Sequence, residues 1–286
     1  MEKFYELAGV SVSVSASSDI LRLDDWNLIR FEVETAENPV KVHLEMVEDL
    51  PAPKGELVVV KPDYRVYDFQ NTRVYYHGSV ENTLDGAYMC AEHRDNEVFA
   101  RLKRGNHPRG AGDRSVLNAM NVVRLVTRAG GVIFHSSYIE YDGKAILFTA
   151  PSGTGKSTQA ELWRSLRGAR IINGDRSAIR FEDGVLCAMG IPFAGSSTYC
   201  ENRTLPLAAI VYLAQAPETT IRKVRGAEAF RRIWEGCTVN TWDRTDVDLA
   251  SETVMKIASS VPVYYLACTP DESAVIALEQ FLREKV

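Results

Sequence analysis

The residues 148 to 163, FTAPSGTGKSTQAELW, place small side chains between an apolar segment and a helical one. Residues 150 to 157 match the phosphate-binding pattern of Gly, four residues and Gly-Lys-Ser/Thr, except that Ala150 replaces the first glycine. Glycines in such a loop let backbone N–H groups point at phosphate oxygens, and the following helix presents its positive end. We therefore expect ATP to bind here. The expected contacts are Ser152, Gly153, Thr154, Gly155, Lys156, Ser157 and Thr158.

The charges in and after this loop suggest phosphoryl transfer. Lys156 is expected to reach the β- and γ-phosphates, and the Ser157 hydroxyl to hold Mg²⁺. Asp175 follows the apolar pair at 171 and 172, so its carboxylate would stand at a strand end within reach of the metal. Whether Asp175 acts as metal ligand or as base stays open, and Asn-Gly before it is also typical of a plain turn.

A histidine is the third candidate. His135 ends the apolar segment GGVIFH, which is followed by two serines. A single histidine in such a place is more often a core residue than a functional one, and its catalytic assignment depends on the other two features.

The elements that must position these residues change in character near residue 110. Alternating or β-branched segments before it predict strands at 10–16, 28–34, 56–61, 73–79 and 97–103, and residues 104–113 read as a linker. Apolar spacing of three and four then predicts one helix between Asp113 and Gly130. Beyond it, strands are expected at 131–135, 145–149, 170–173, 208–214 and 262–267, with helices at 156–167, 226–236, 246–259 and 271–284. The expected fold class is α/β (mixed α+β), with a β-rich region at 1–108 that is expected to recognise the acceptor or a partner, and a catalytic domain at 109–286.

Composition narrows the partners. The net charge of −5 and the lack of a basic run argue against nucleic acid and anionic membranes. The chain has no long apolar run and no basic-then-apolar start, so we expect a cytoplasmic protein. Its five cysteines show no Cys-x-x-Cys pair, and we expect reduced thiols.

The three chemical features together resemble the HPr kinase/phosphorylase catalytic domain, within the wider group of phosphoenolpyruvate carboxykinase-like folds. The resemblance rests on His135 with two serines, on LFTAPSGTGKST and on ARIINGDRSAIR, and it covers roughly residues 130 to 285. It implies that His135, Lys156 and Asp175 are catalytic and that Ser157 and Asp175 hold the metal. The family's Asp-Asp pair is Gly174-Asp175 here, so one carboxylate serves or another acid, such as Glu201, completes the site.

The family's longer glycine-rich signature is absent, which makes HPr itself an unexpected substrate. We expect a kinase that moves the γ-phosphoryl group to a hydroxyl of a peptide, a protein or a small molecule. The alternatives are a non-catalytic nucleotide-binding module and a carboxykinase-like enzyme for a small acid. Residues 193–203 are expected either to shape the acceptor pocket or to be a solvated connection.

Overall fold

The computed structural model describes residues 1–17, 27–70, 72–105, 113–195 and 197–283. The chain forms two compact units, residues 1–125 and 126–286. The helix that begins at Asp113 lies in the first of them. Most of the expected linker, residues 106–112, lies outside the described residues. The assignment of recognition to 1–108 and of catalysis to 109–286 stays a prediction.

The described part of the first unit is dominated by one sheet of nine strands. The strands are β1 (Glu2–Leu7), β2 (Val10–Ala16), β3 (Glu32–Val33), β4 (Val40–Val47), β5 (Glu56–Val60), β6 (Tyr64–Phe69), β7 (Thr72–Ser79), β8 (Gly86–Arg94) and β9 (Glu97–Lys103). Their order across the sheet is β3-β1-β2-β4-β9-β8-β7-β6-β5. Most neighbours are antiparallel, but β4 lies parallel to both β2 and β9.

Four of the five strands expected in this region are confirmed, and the strand at 28–34 is wrong. Residues Asn27–Phe31 form a 3₁₀ helix there, and only Glu32 and Val33 join the sheet. Leu28 and Phe31 are both fully buried. They lie three residues apart, which is one turn of a 3₁₀ helix, so burial on one side favours that turn over an extended chain.

The helix expected between Asp113 and Gly130 is two helices, α1 (Asp113–Met120) and α2 (Val122–Arg128). Asn121 separates them with a φ of 48°. Asparagine tolerates this left-handed conformation better than most residues, so the helix can be interrupted there. The apolar spacing continues on both sides of the break, and for that reason it predicts a single helix.

The second unit carries the strands and helices around the phosphate-loop pattern. Its helices are α3 (Lys156–Arg167), α4 (Gly226–Gly236), α5 (Arg244–Ser260) and α6 (Glu272–Arg283). Its strands are β10 (Val132–His135), β11 (Ser137–Tyr141), β12 (Lys144–Thr149), β13 (Arg170–Asn173), β14 (Arg176–Glu182), β15 (Val185–Gly190), β16 (Thr204–Gln215), β17 (Thr220–Val224), β18 (Cys237–Thr238) and β19 (Val263–Cys268). All the elements expected here are present, and β11, β14, β15, β17 and β18 are additional.

The sheet of the second unit has three parallel strands at its centre. β12 and β19 both pair in parallel with β16. Helices α3 and α6 contribute to an apolar cluster on one face, and α4 and α5 to a cluster on the other. Parallel strands covered on both faces read as continuous apolar runs, as in AILF and AAIVYLA. The fold is therefore mixed α+β, and the carboxyl ends of its central strands meet at one edge.

The cysteines and the helices give two further findings. None of the five cysteines, all of which lie in the described ranges, forms a disulfide, and four of them are buried. Within the described ranges, the helices are too short or too polar to cross a lipid bilayer.

Candidate functional site

The loop from Ala150 to Gly155 joins the end of β12 to the start of α3. Gly153 and Gly155 have φ angles of 79° and 118°, a region that residues with a Cβ rarely adopt. Among the described residues, no side chain caps the first N–H groups of α3. Helix α5, by contrast, begins with Asp243 accepting from two backbone N–H groups. The loop thus leaves the amino end of α3 open to an anion.

Lys156 is the buried cation of this loop. Its side chain is only 9% exposed, and Nζ donates to the carbonyls of Ala150 at 3.0 Å and Pro151 at 3.4 Å. Burial lowers the pKa of the ammonium group, and the nearby Asp175 carboxylate opposes that shift. The ammonium donates only to neutral carbonyls in this structure. A hydrogen bond from the ammonium to an anionic ligand would be stronger than either of these.

His135 and Asp175 meet because of strand register. β10 pairs with β14 so that His135 lies opposite Arg176, and the Ser136 N–H donates to the Asp175 carbonyl at 3.0 Å. This places His135 Nε2 at 3.4 Å from Asp175 Oδ1. Thr149, at the end of β12, donates through Oγ1 to the His135 carbonyl at 2.9 Å. The ends of β10 and β12 are thereby tied together.

Asn173 shapes the turn that presents Asp175. Its buried Oδ1 accepts from the N–H groups of Asp175 and Arg176 at 3.0 and 3.1 Å, and its Nδ2 donates to the Ile191 carbonyl at 2.8 Å. Residues 173–175 are therefore a turn, as the alternative interpretation had it. That turn aims the carboxylate toward the loop, so the two interpretations do not compete.

Two cations, Arg176 and Lys156, and the imidazole of His135 surround the Asp175 carboxylate. The hydrogen bond with His135 is the largest cause that holds its pKa below the usual 3.8. Burial opposes the shift, and the charges of Arg176, whose Nε lies 3.5 Å away, and of Lys156 add to it. Asp175 is thus an anion at neutral pH.

The segment after Ile191 packs against this turn. A Cβ at Gly195 would lie 2.7 Å from the Asp175 Cγ, and one at Gly174 would overlap Ser197 Oγ. The space that a second aspartate at position 174 would need is therefore filled by Ser197. Glu201 does not supply the missing acid, because it forms an ion pair with Arg170 at the far end of β13, at 2.8 Å.

The side chains singled out from the sequence converge on one cavity of about 300 Å³. It is lined by His135, Ser152, Gly153, Gly155, Lys156, Ser157, Thr158, Gly174, Asp175, Ala194 and Ser197. Thr154 is the exception, since it lines a neighbouring cavity instead. Across the described ranges, no cluster of three or more His, Cys, Asp or Glu side chains has the arrangement of a metal site made by protein alone.

The roles of Asn173 and Ser197 were not predicted from the sequence. For Asn173 the Asn-Gly pair was a signal, since asparagine often bonds to backbone N–H groups two residues on. For Ser197 the sequence carries no signal, because its contact with Gly174 depends on how two distant segments pack.

The fold and site define a mixed α+β protein with a glycine-rich loop opening a helix at the edge of its sheet. A family model described as SynChlorMet cassette protein ScmC matches residues 114–282, so the chain belongs to that family. The structure is also similar to that of the HPr(Ser) kinase/phosphatase from Coxiella burnetii. That similarity has 12% identity and a TM-score of 0.32, over 53% of this chain and 88% of the other. None of the curated proteins matches the sequence.

Proposed function

We propose that the chain is a phosphotransferase that moves the γ-phosphoryl group of ATP to a hydroxyl of a peptide, a protein or a small molecule. One observation carries the proposal: Lys156, Ser157, Asp175 and His135 line a single cavity at the open amino end of α3. A cation, a hydroxyl, a carboxylate and an imidazole are the groups that this chemistry uses.

Phosphate binding falls to the loop and to Lys156. The uncapped N–H groups at the start of α3 supply donors and the positive end of a helix dipole. Lys156 adds a charge in a setting with little water, where its attraction to phosphate is stronger than on the surface. On binding, its ammonium would exchange two backbone carbonyls for phosphate oxygens.

Magnesium fits the remaining donors. Mg²⁺ is usually held by one or two carboxylates together with phosphates and water, which explains why a full protein cage is not required. Asp175, kept ionised by its neighbours, and the Ser157 hydroxyl are the residues that would hold it. The ion would offset the charge on the transferred phosphoryl group.

The proton of the acceptor hydroxyl must leave as the new P–O bond forms and the bond to ADP breaks. His135 and Asp175 are hydrogen-bonded and face the same cavity as Lys156. We assign His135 the task of accepting this proton, and Asp175, as the metal ligand, that of holding the imidazole in position. Ala194 and Ser197 also line this cavity, and we assign them to the acceptor side of the site.

A non-catalytic nucleotide-binding module is the second candidate, and the crowding at Gly174 favours it. With Ser197 filling the space beside Gly174, the site has a single carboxylate where the resembling family has two. Such a protein would bind ATP and respond to it without turning it over.

Binding of a non-hydrolysable ATP analogue with Mg²⁺, followed by calorimetry, tests the phosphate site. Lys156→Ala should weaken binding about 100-fold, because a buried charged partner is lost. Lys256→Ala, at an exposed position on α5, is the matched control and should bind as the wild type does. Equal affinity in both variants would refute the assignment of the loop. ATP turnover with candidate hydroxyl acceptors then separates the two functions, since the binding module would release no ADP.

A further inference from the structure

A second cavity of about 550 Å³ adjoins the phosphate cavity. It lies over the carboxyl ends of β16 and β19, and its lining includes Leu213, Gln215, Cys268 and Pro270. Ligands of open α/β sheets bind outside the carboxyl ends of the strands, and the volume is in the usual range of about 300–1,000 Å³ for small-molecule pockets.

The two cavities are continuous through the loop. Gly153, Gly155 and Thr158 line both of them. The chemistry changes across this boundary: the lining of the first cavity includes the charged side chains Lys156 and Asp175, whereas the lining of the second is uncharged and combines Leu213, alanines and two prolines with threonine and glutamine side chains. A ligand that spans both must be anionic at one end and flat or apolar at the other, as a nucleoside triphosphate is.

In the second cavity, the amide oxygen of one buried side chain has no hydrogen-bond donor among the described residues. Gln159 is 2% exposed, and its Nε2 donates to Cys268 Sγ at 3.5 Å. Within the described part of the chain, its Oε1 accepts no hydrogen bond. A buried carbonyl oxygen without a donor is unfavourable, so a ligand that donates a hydrogen bond to it is favoured.

We infer that this cavity takes the purine of the triphosphate and that Gln159 Oε1 accepts a hydrogen bond from a 6-amino group. The inference rests on the proposed function, which supplies the phosphate site next door. It makes Gln159 a specificity-determining residue. A 6-oxo purine would set its own acceptor oxygen against Oε1, and the site would reject it.

The experiment compares three ligands on the full chain: ATP, ITP and inorganic tripolyphosphate. ATP and ITP differ at position 6 of the purine, and tripolyphosphate has no base. We expect ATP to bind about 10-fold more tightly than ITP, which corresponds to one unsatisfied buried acceptor. The ratio of the two dissociation constants is the readout, because it cancels general losses of affinity.

Gln159→Leu and Gln159→Met remove the acceptor oxygen and keep an apolar side chain, so the ATP-to-ITP preference should fall to about 2-fold or less while tripolyphosphate affinity is kept. Two variants guard against one that fails to fold. Gln280→Leu makes the same chemical change at an exposed position of α6 and should keep the full preference.

Equal binding of ATP and ITP by the wild type, or an unchanged preference in both Gln159 variants, would overturn the base site while leaving the phosphate site standing. Failure of ATP and tripolyphosphate to bind at all would instead refute the proposed function, and the inference with it.

Discussion

At the scale of single residues, the site concentrates opposite charges around a small volume. Asp175 lies within reach of His135, Arg176 and Lys156, and its pKa is lowered below 3.8. Burial alone would act in the other direction. The hydrogen bond from His135 is the largest cause of the lowering, so His135 is expected to tune the carboxylate as well as to face the substrate.

His135→Asn should therefore raise the pKa of Asp175 toward or above its usual value. The carboxyl ¹³C shift of Asp175, followed by NMR across an acid titration, measures it directly. A carboxyl whose pKa is depressed in the fold stabilises the protein above its unfolded pKa of about 3.9, and that contribution is lost as the pH falls through the folded value. The variant should lack that contribution, so it should be less stable than the wild type at neutral pH and should lose less stability on acidification. His43→Asn, at a half-exposed histidine of the first unit, is the control. An unmoved Asp175 titration in the His135 variant would contradict the assigned cause.

At the scale of elements, the start of α5 is joined to the end of α2 by a buried carboxylate. Asp246 is fully buried, and it accepts from Arg128 Nε at 2.7 Å and from Asn240 Nδ2 at 3.0 Å. Asp243 caps the same helix by accepting from two N–H groups. Helix α5 packs on one apolar face of the sheet of the second unit, so this polar cluster helps to hold α5 against the core.

Asp246→Ala should lower the free energy of unfolding by about 2 kcal/mol or more, since it leaves a charged and a neutral donor without their acceptor. Urea unfolding measures the change. Asp248→Ala removes a carboxylate from the same helix, but its partner Arg244 is 95% exposed and lies 3.7 Å away. That control should change stability by about 0.5 kcal/mol or less. Similar losses in both variants would mean that the buried network adds nothing beyond a surface pair.

At the scale of the whole molecule, each unit has an apolar cluster of its own. In the first unit the cluster includes Tyr67, Tyr76 and Cys90. In the second unit, clusters cover both faces of the sheet. All the residues that line the two cavities belong to the second unit. The proposed ATP site is therefore built only from side chains of the second unit.

A fragment that begins at Asn121, which keeps α2 whole, should bind an ATP analogue within about 3-fold of the full chain. It should lose transfer to the true acceptor by about 100-fold, because we assign acceptor positioning to the first unit and positioning contributes much of such a rate. Calorimetry and acceptor phosphorylation measure the two quantities. A soluble fragment that phosphorylates the acceptor at the full rate would refute the recognition role, and an aggregating one would show that the first unit covers apolar surface of the second.

Features that depend on neighbours along the chain could be predicted from the sequence. The glycines at 153 and 155, the start of α3 at Lys156 and the bounds of α4 were all predictable, because turn chemistry and helical spacing are local. The same reasoning failed at 28–34, where a 3₁₀ helix forms in place of a strand, and at Asn121, where the helix is interrupted. In both places the apolar pattern is also compatible with a longer regular element.

Which distant groups meet could not be predicted, because it depends on how the folded segments pack. The contact of His135 with Asp175 depends on the register of β10 against β14, which no local pattern specifies. Ser197 occupies the space beside Gly174, and Glu201 forms an ion pair with Arg170 away from the site. Likewise, Gln159 Oε1 has no hydrogen-bond donor among the described residues, because Gln159 lines the cavity between β16, β19 and α3. In each case the deciding quantity is a distance of a few ångströms between segments far apart in the chain, and only the packed fold sets such distances.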